Sequence, residues 1–148
     1  MRESIGGAWL LGIVMTFIVL FASFLAISIN YSKAFKVKNN VVDLIEKNEG
    51  MTEKTVKEIY GYLNTQGYIL KGKCSPGYTG FEMNGEATNP NSSLYCVKKE
   101  DISDTALDKA YYSVEVFFRL DLPIFGELFT FKVTGETMSI YFAEDEYL

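Results

Sequence analysis

Residues 8–29, AWLLGIVMTFIVLFASFLAISI, form a run of 22 residues without a charge. A helix over them reaches roughly 33 Å at about 1.5 Å per residue, enough to cross a hydrocarbon core of about 30 Å. Trp9 and Tyr31 stand at its two ends, where amphipathic rings favour the membrane interface. The core helix of a soluble domain seldom runs this long without a charge. The rival is a cleaved secretory signal, whose apolar region is about 7–15 residues and ends at small residues. Ala22, Ser23 and Phe24, or Ala26, Ile27 and Ser28, would serve as such a site. The greater length predicts a single-pass anchor within residues 1–31, partnered by the lipid bilayer, that carries a soluble domain over residues 32–148.

That remainder, about 115 residues, suits one domain. The chain's formal net charge is −5 and no long Lys/Arg cluster occurs, which argues against nucleic acid as a partner. It contains no His, the commonest general base and metal ligand, so Ser-His-Asp and Cys-His chemistry are excluded. Two Cys without His are too few for a metal site. Neither a phosphate-cradling G-x-x-x-x-G-K nor a nucleophile-bearing G-x-S-x-G is present. The expectation is a non-enzymatic protein with no catalytic, metal or cofactor-binding residues and no small-molecule substrate.

Within the apolar run, Ala8, Gly12 and Thr16 form a ladder at spacing four, and Ser23, Ala26 and Asn30 roughly continue that face. Small residues let helix backbones approach closely in lipid, so the ladder suits packing against another membrane helix or a second copy of the chain. The plainer reading is chance, since Gly, Ala and Ser are common in such helices.

Beyond the run, Ala34, Val37, Val41, Leu44, Ile45 and Asn48 recur at helical spacing, with charges opposite. Nothing interrupts the pattern before Gly50, a good residue just past a helix end. One helix from about residue 8 to residue 49 is expected, its second half laying an apolar stripe on the domain. The alternative is two helices broken near Asn30 or at Asn39 and Asn40. Thr52 is a helix cap for Val56, Ile59, Tyr60 and Leu63, and Gly67 ends that helix. Short strands are expected over 68–71 and 94–98, separated by a polar loop over 73–93, with a helical turn within 101–110. Alternation of Val114, Val116, Phe118, Leu120 and Leu122 against Glu115, Arg119 and Asp121 marks a half-buried strand. Residues 123–126 should turn, and Phe129, Phe131 and Val133 follow in one parity. Met138, Ile140 and Phe142 take the opposite parity, which places a bulge at Gly135 with Val133 and Met138 both facing the core. The expected fold class is α+β: a transmembrane helix continuing as an amphipathic helix packed on a small antiparallel sheet.

Cys74 and Cys96 flank strand candidates and enclose the polar loop. A bridge closing about 23 residues would stabilise by roughly 3 kcal/mol and would place the domain outside the cytoplasm. The competing reading is two buried thiols in a reducing compartment. Asn91, Ser92 and Ser93 form an N-glycosylation triplet, relevant only where that machinery exists. Charge points the other way on orientation: Lys33, Lys36 and Lys38 follow the run, whereas Arg2 precedes it beside Glu3. The positive-inside rule alone would keep the domain in the cytoplasm. The cysteine pair outweighs a bias of one or two charges.

A very short lead, an apolar helix continuing as an amphipathic one, and a small sheet with a cysteine pair together resemble the type IV pilin superfamily. The short lead is most similar to Tad-type pseudopilins of the TadE kind. The resemblance lies in architecture along the whole chain rather than in a motif. It implies cleavage by a prepilin peptidase after a Gly just ahead of the apolar run, a place held by Gly6 and Gly7. The family usually carries a Glu early in the run, pairing with a neighbouring subunit. Gly12 stands there if cleavage follows Gly7, and no acidic residue occurs between Glu3 and Asp43. The expected function is a pilin-like subunit or assembly factor of a cell-surface filament or envelope machine. The alternative is a membrane-tethered extracytoplasmic binding domain that recognises its ligand through the aromatic hairpin or the 73–93 loop.

Overall fold

The computed structural model describes residues 2–82, 87–88, 90–102, 109–122, 126–141 and 148. A single helix, α1 (Arg2–Lys47), runs without a break through both Asn30 and the Asn39, Asn40 pair. It ends where Glu49 and Gly50 turn to positive φ, and the Gly50 N–H donates to Ile45 O at 3.0 Å. Glycine is the residue that takes such backbone without strain. Helix α2 (Glu53–Thr65) starts at Thr52, whose hydroxyl accepts from the Thr55 N–H, as expected of a cap. It closes at Gly67, φ 58°, with the Tyr68 N–H donating to Leu63 O.

The strands are β1 (Thr79–Phe81), β2 (Ala87–Thr88), β3 (Tyr95–Asp101), β4 (Lys109–Leu122), β5 (Gly126–Glu136) and β6 (Ile140–Tyr141). They form one antiparallel sheet in the order β2-β1-β3-β4-β5, with β6 also pairing β4. The fold is therefore α+β.

One sheet face takes the helices. Tyr95 and Val97 of β3 and Tyr112, Val114 and Val116 of β4 pack against Val37, Val41 and Ile45 of α1 and Val56, Ile59 and Leu63 of α2. All lie at or below 4% exposure, so the amphipathic stripe docks on its own sheet as its spacing required. Leu44 is only half-buried at the edge of this core. The opposite face is covered too. The segment before β1 lies across it, so Cys74, Cys96 and Phe117 form a second buried cluster with Leu70 and Tyr78. Cys74 and Cys96 are joined as a disulfide, their Cα atoms 5.7 Å apart. Glu115 is 2% exposed on that face, accepting from the Ser75 N–H at 2.9 Å beside the Lys132 ammonium at 3.6 Å. A charge so placed holds because both partners meet it.

Four expectations are corrected. The 73–93 segment is not all loop, because β1 and β2 lie within it and pair with each other. Residues 68–71 form no strand. Only Gly72 bridges to Ser93, because Tyr68 turns into the core and spends its hydroxyl on β4. Gly135 is not a bulge: β5 pairs regularly through it, Val114 facing Gly135 and Ser113 facing Glu136. The one-residue parity shift is real but comes later. Ala110 faces Ile140, so one extra residue lies between Glu136 and β6. There Thr137 substitutes its hydroxyl for a ladder partner, accepting from the Tyr112 N–H at 2.9 Å. Met138 is consequently 75% exposed rather than in the core, and Ile140 turns back to pack against it. A further register shift lies at Leu120 and Asp121. The stretch 94–98 is strand, extended to Asp101. The helical turn expected within 101–110 falls mainly on 103–108, and the turn at 123–126 mainly on 123–125, outside the described residues, as does Phe142.

Candidate functional site

The two halves of α1 differ in surroundings, not in backbone. From Ala34 onward every third or fourth residue is buried. Among the described side chains before Asn30 none is, and Trp9, Leu10, Phe17 and Phe24 are all exposed. This apolar half is long enough to cross a membrane, and none of its described residues is buried by the rest of the chain. Exposed large side chains on that scale, ringed by water, would be unfavourable by about 25 cal/mol for every Å².

Ala8, Gly12 and Thr16 fall together as the floor of a shallow groove along this half, walled by Trp9, Ile13, Phe17 and Leu20. The Thr16 hydroxyl donates to Gly12 O at 2.9 Å, and Ser23 makes the same turn-back bond to Val19 O. Both hydroxyls are thereby satisfied inside the helix, as lipid requires. A Cβ built on Gly12 would meet nothing within 4 Å, so the groove floor is open to an approaching backbone. Ser23 and Ala26 do not share that openness: with Ile27 and Asn30 they are partly covered, on the face that continues into the docked stripe. The ladder keeps one face, since the 18 residues from Ala8 to Ala26 make about five turns, but its first three members are exposed and its last two partly covered. Gly6 and Gly7 lie in the opening turns of α1, likewise with open space where a Cβ would stand.

An aromatic row joins helix to sheet. Tyr31 stacks on Phe35 with ring centroids 6.3 Å apart and meets the edge of Phe118 at 5.6 Å, and Phe118 stacks on Phe131 at 5.3 Å. The Lys38 ammonium lies 4.4 Å over the Phe35 ring. Phe118 shares the alternation that marks one face of a half-buried strand, but nothing in the sequence names Tyr31 as its partner.

Glu100 is the polar counterpart at the sheet's other end. Hydrogen bonds from Lys98 and then Tyr111 hold its carboxyl below the usual carboxylate range. This trio is half-exposed. Among the described residues no three Cys, Asp or Glu side chains converge as metal ligands. Comparison with known proteins finds no matching family model, no matching curated protein and no matching solved structure. A long N-terminal apolar helix carrying a small antiparallel sheet is nevertheless compatible with a pilin-like architecture.

Proposed function

We propose that this chain is a membrane-anchored, non-enzymatic, pilin-like subunit or assembly factor of a cell-surface filament or envelope machine, its domain held outside the cytoplasm. The observation that carries the reading is the division of α1: one unbroken helix has its second half buried in its own sheet, while its first half holds no buried residue among those described and is exposed from Gly6 to Ala22. A bare helical half joined rigidly to a folded head is what lateral assembly needs, because helices pack side by side while the heads keep a fixed relation to them. The outward groove at Ala8, Gly12 and Thr16 supplies a surface for close helix approach. The Cys74–Cys96 bridge suits an oxidising compartment.

The test is cross-linking in membranes through single cysteines placed along the groove, with Gly12→Leu as the variant. Leu at that position fills the open floor and should reduce lateral cross-linking several-fold while leaving the domain's melting temperature unchanged. Undiminished cross-linking would make α1 a plain anchor, and the tethered binding domain would become the better account.

A further inference from the structure

The sheet does not stop where the apolar run stops. Contacts along α1 advance in step with the strands: Glu46 accepts from the Met138 N–H, Lys38 lies against Gly135, and Tyr31 meets Phe118. Moving down α1 toward its N-terminus therefore means moving up β4 toward its C-terminus. β4 and β5 remain paired to Leu122 and Gly126, four residues beyond Phe118. At about 3.3 Å per strand residue and 1.5 Å per helix residue, that pair of ends comes level with about residue 22 of α1. The coverage of α1 agrees. Ser23, Ala26 and Ile27 are partly covered, whereas every residue described from Gly6 to Ala22 is exposed. The end of the sheet thus overlaps the last two turns of the apolar run 8–29.

At the level where that run gives way to polar residues, the structure has a cavity of about 470 Å³ between Asn30 and Lys33 of α1, the connection after α2, and Phe118 and Arg119 of β4. Among the described residues Lys33, Lys71 and Arg119 contribute to its walls, and no Asp or Glu does. Lys71 also pairs with Glu82 at 2.9 Å, and among the described residues Lys33 meets no carboxylate, which leaves the described lining cationic. Beside it Ile69 is 74% exposed and Tyr31 49%. A cationic hollow rimmed by an aromatic and an apolar side chain, at the depth where a membrane helix leaves hydrocarbon, matches the chemistry of lipid headgroups.

We propose that the domain is seated on the bilayer rather than held away from it, with this cavity taking the phosphate of an anionic phospholipid. The inference rests on the membrane-spanning reading of α1 above. Seating fixes the tilt and rotation of the head relative to the membrane plane.

Native mass spectrometry of the full chain released from micelles containing equal phosphatidylglycerol and phosphatidylcholine reads the proposal directly. Phosphatidylglycerol should be retained preferentially. Lys33→Gln and Lys71→Gln should each weaken that retention about fivefold, the effect of one cation near an anionic surface. Lys54→Gln, at the far end of α2, should leave it unchanged. Both lining lysines are exposed, so the variants should fold, and unchanged circular dichroism verifies this. Equal retention of the two lipids, or insensitivity to Lys33→Gln, would overturn the proposal. Displacement of the lipid by millimolar inorganic phosphate would reassign the cavity to a free anion and overturn it too. Extraction of the chain from membranes by alkaline carbonate would instead defeat the membrane-spanning reading itself, and is scored separately.

Discussion

The hydroxyl of Tyr68 sits where β3 leaves the ladder. β3 pairs β4 only as far as Tyr95 and Val116, so the next residue, Phe117, has a backbone N–H and C=O facing no strand on that side. Tyr68 meets both, accepting from the Phe117 N–H at 2.9 Å and donating to Phe117 O at 2.6 Å. Tyr95 is equally buried, but its hydroxyl finds no partner among the described residues. The two tyrosines should therefore respond oppositely to loss of the hydroxyl. Tyr68→Phe leaves two buried backbone groups unpaired and should cost about 2–3 kcal/mol, whereas Tyr95→Phe should be neutral or stabilising. Both share a dependence on alkali. Burial pushes each hydroxyl's pKa above the ordinary tyrosine range. A folded-state pKa raised above the unfolded one means that the stabilisation is complete below about pH 10 and is lost as pH rises further. Each tyrosine should contribute a fall of about 1.4 kcal/mol per pH unit above that point. Urea unfolding of the full chain in detergent from pH 8 to 12 measures this. A slope unchanged in either variant would mean that its hydroxyl is not held neutral by burial.

The elements that sequence reading recovered are those whose determinants are local. α1 was legible because apolar residues recur at helical spacing on both sides of Asn30 and no breaker precedes Gly50. α2 was legible from its cap at Thr52 and its stop at Gly67. Residues 68–71 read as strand because aromatic and β-branched residues favour strands, but their pairing is decided by where β3 ends, a non-local matter. The bulge was misplaced by two to four residues for a related reason. Parity shows that a shift occurs, not where, and the Thr137 hydroxyl absorbs it. Gly135 has a different role. It faces Val114 under α1, and a Cβ there would meet Lys38 Cδ at 2.2 Å. Gly72 is tight for another cause: its Cβ would fall 2.2 Å from the Phe117 ring, which is 2% exposed and enclosed by the disulfide cluster. A lysine chain at the surface of α1 can swing aside, and an enclosed ring cannot. Gly72→Ala should therefore lower stability by about 2–3 kcal/mol and Gly135→Ala by under about 1 kcal/mol. Thermal melting of the two variants decides it, and equal losses would mean that Lys38 is as fixed as Phe117.

At the scale of the whole molecule, which half of α1 each event depends on becomes the question. The sequence implied both halves, and it implied that Ala8, Gly12 and Thr16 would share a face. It could not imply that Ser23 and Ala26 would be partly covered while the first three stay exposed, since coverage depends on how far the rest of the fold reaches along the helix. Nor could it place Glu115 under the 70–78 segment, where Ser75 and Lys132 receive it. These far-apart partners make the head one cooperative unit, whereas insertion of α1 in a bilayer would depend on the apolar residues nearer its N-terminus. Ile45 is fully buried against the sheet, about 50 Å along the helix from Gly12 at about 1.5 Å per residue. Ile45→Asp places an uncompensated carboxylate in that core, a cost of about 3–5 kcal/mol against a total of about 5–15 kcal/mol. The head should become protease-sensitive while the chain stays in the carbonate-resistant membrane fraction. Gly12→Leu should do the reverse, leaving the head protected and altering only what the helix packs against. Both readouts come from one membrane preparation, so folding and anchoring are scored on the same molecules. If Ile45→Asp released the chain from the membrane, docking of the head would be a condition of insertion, and the two halves of α1 would act as one device rather than two.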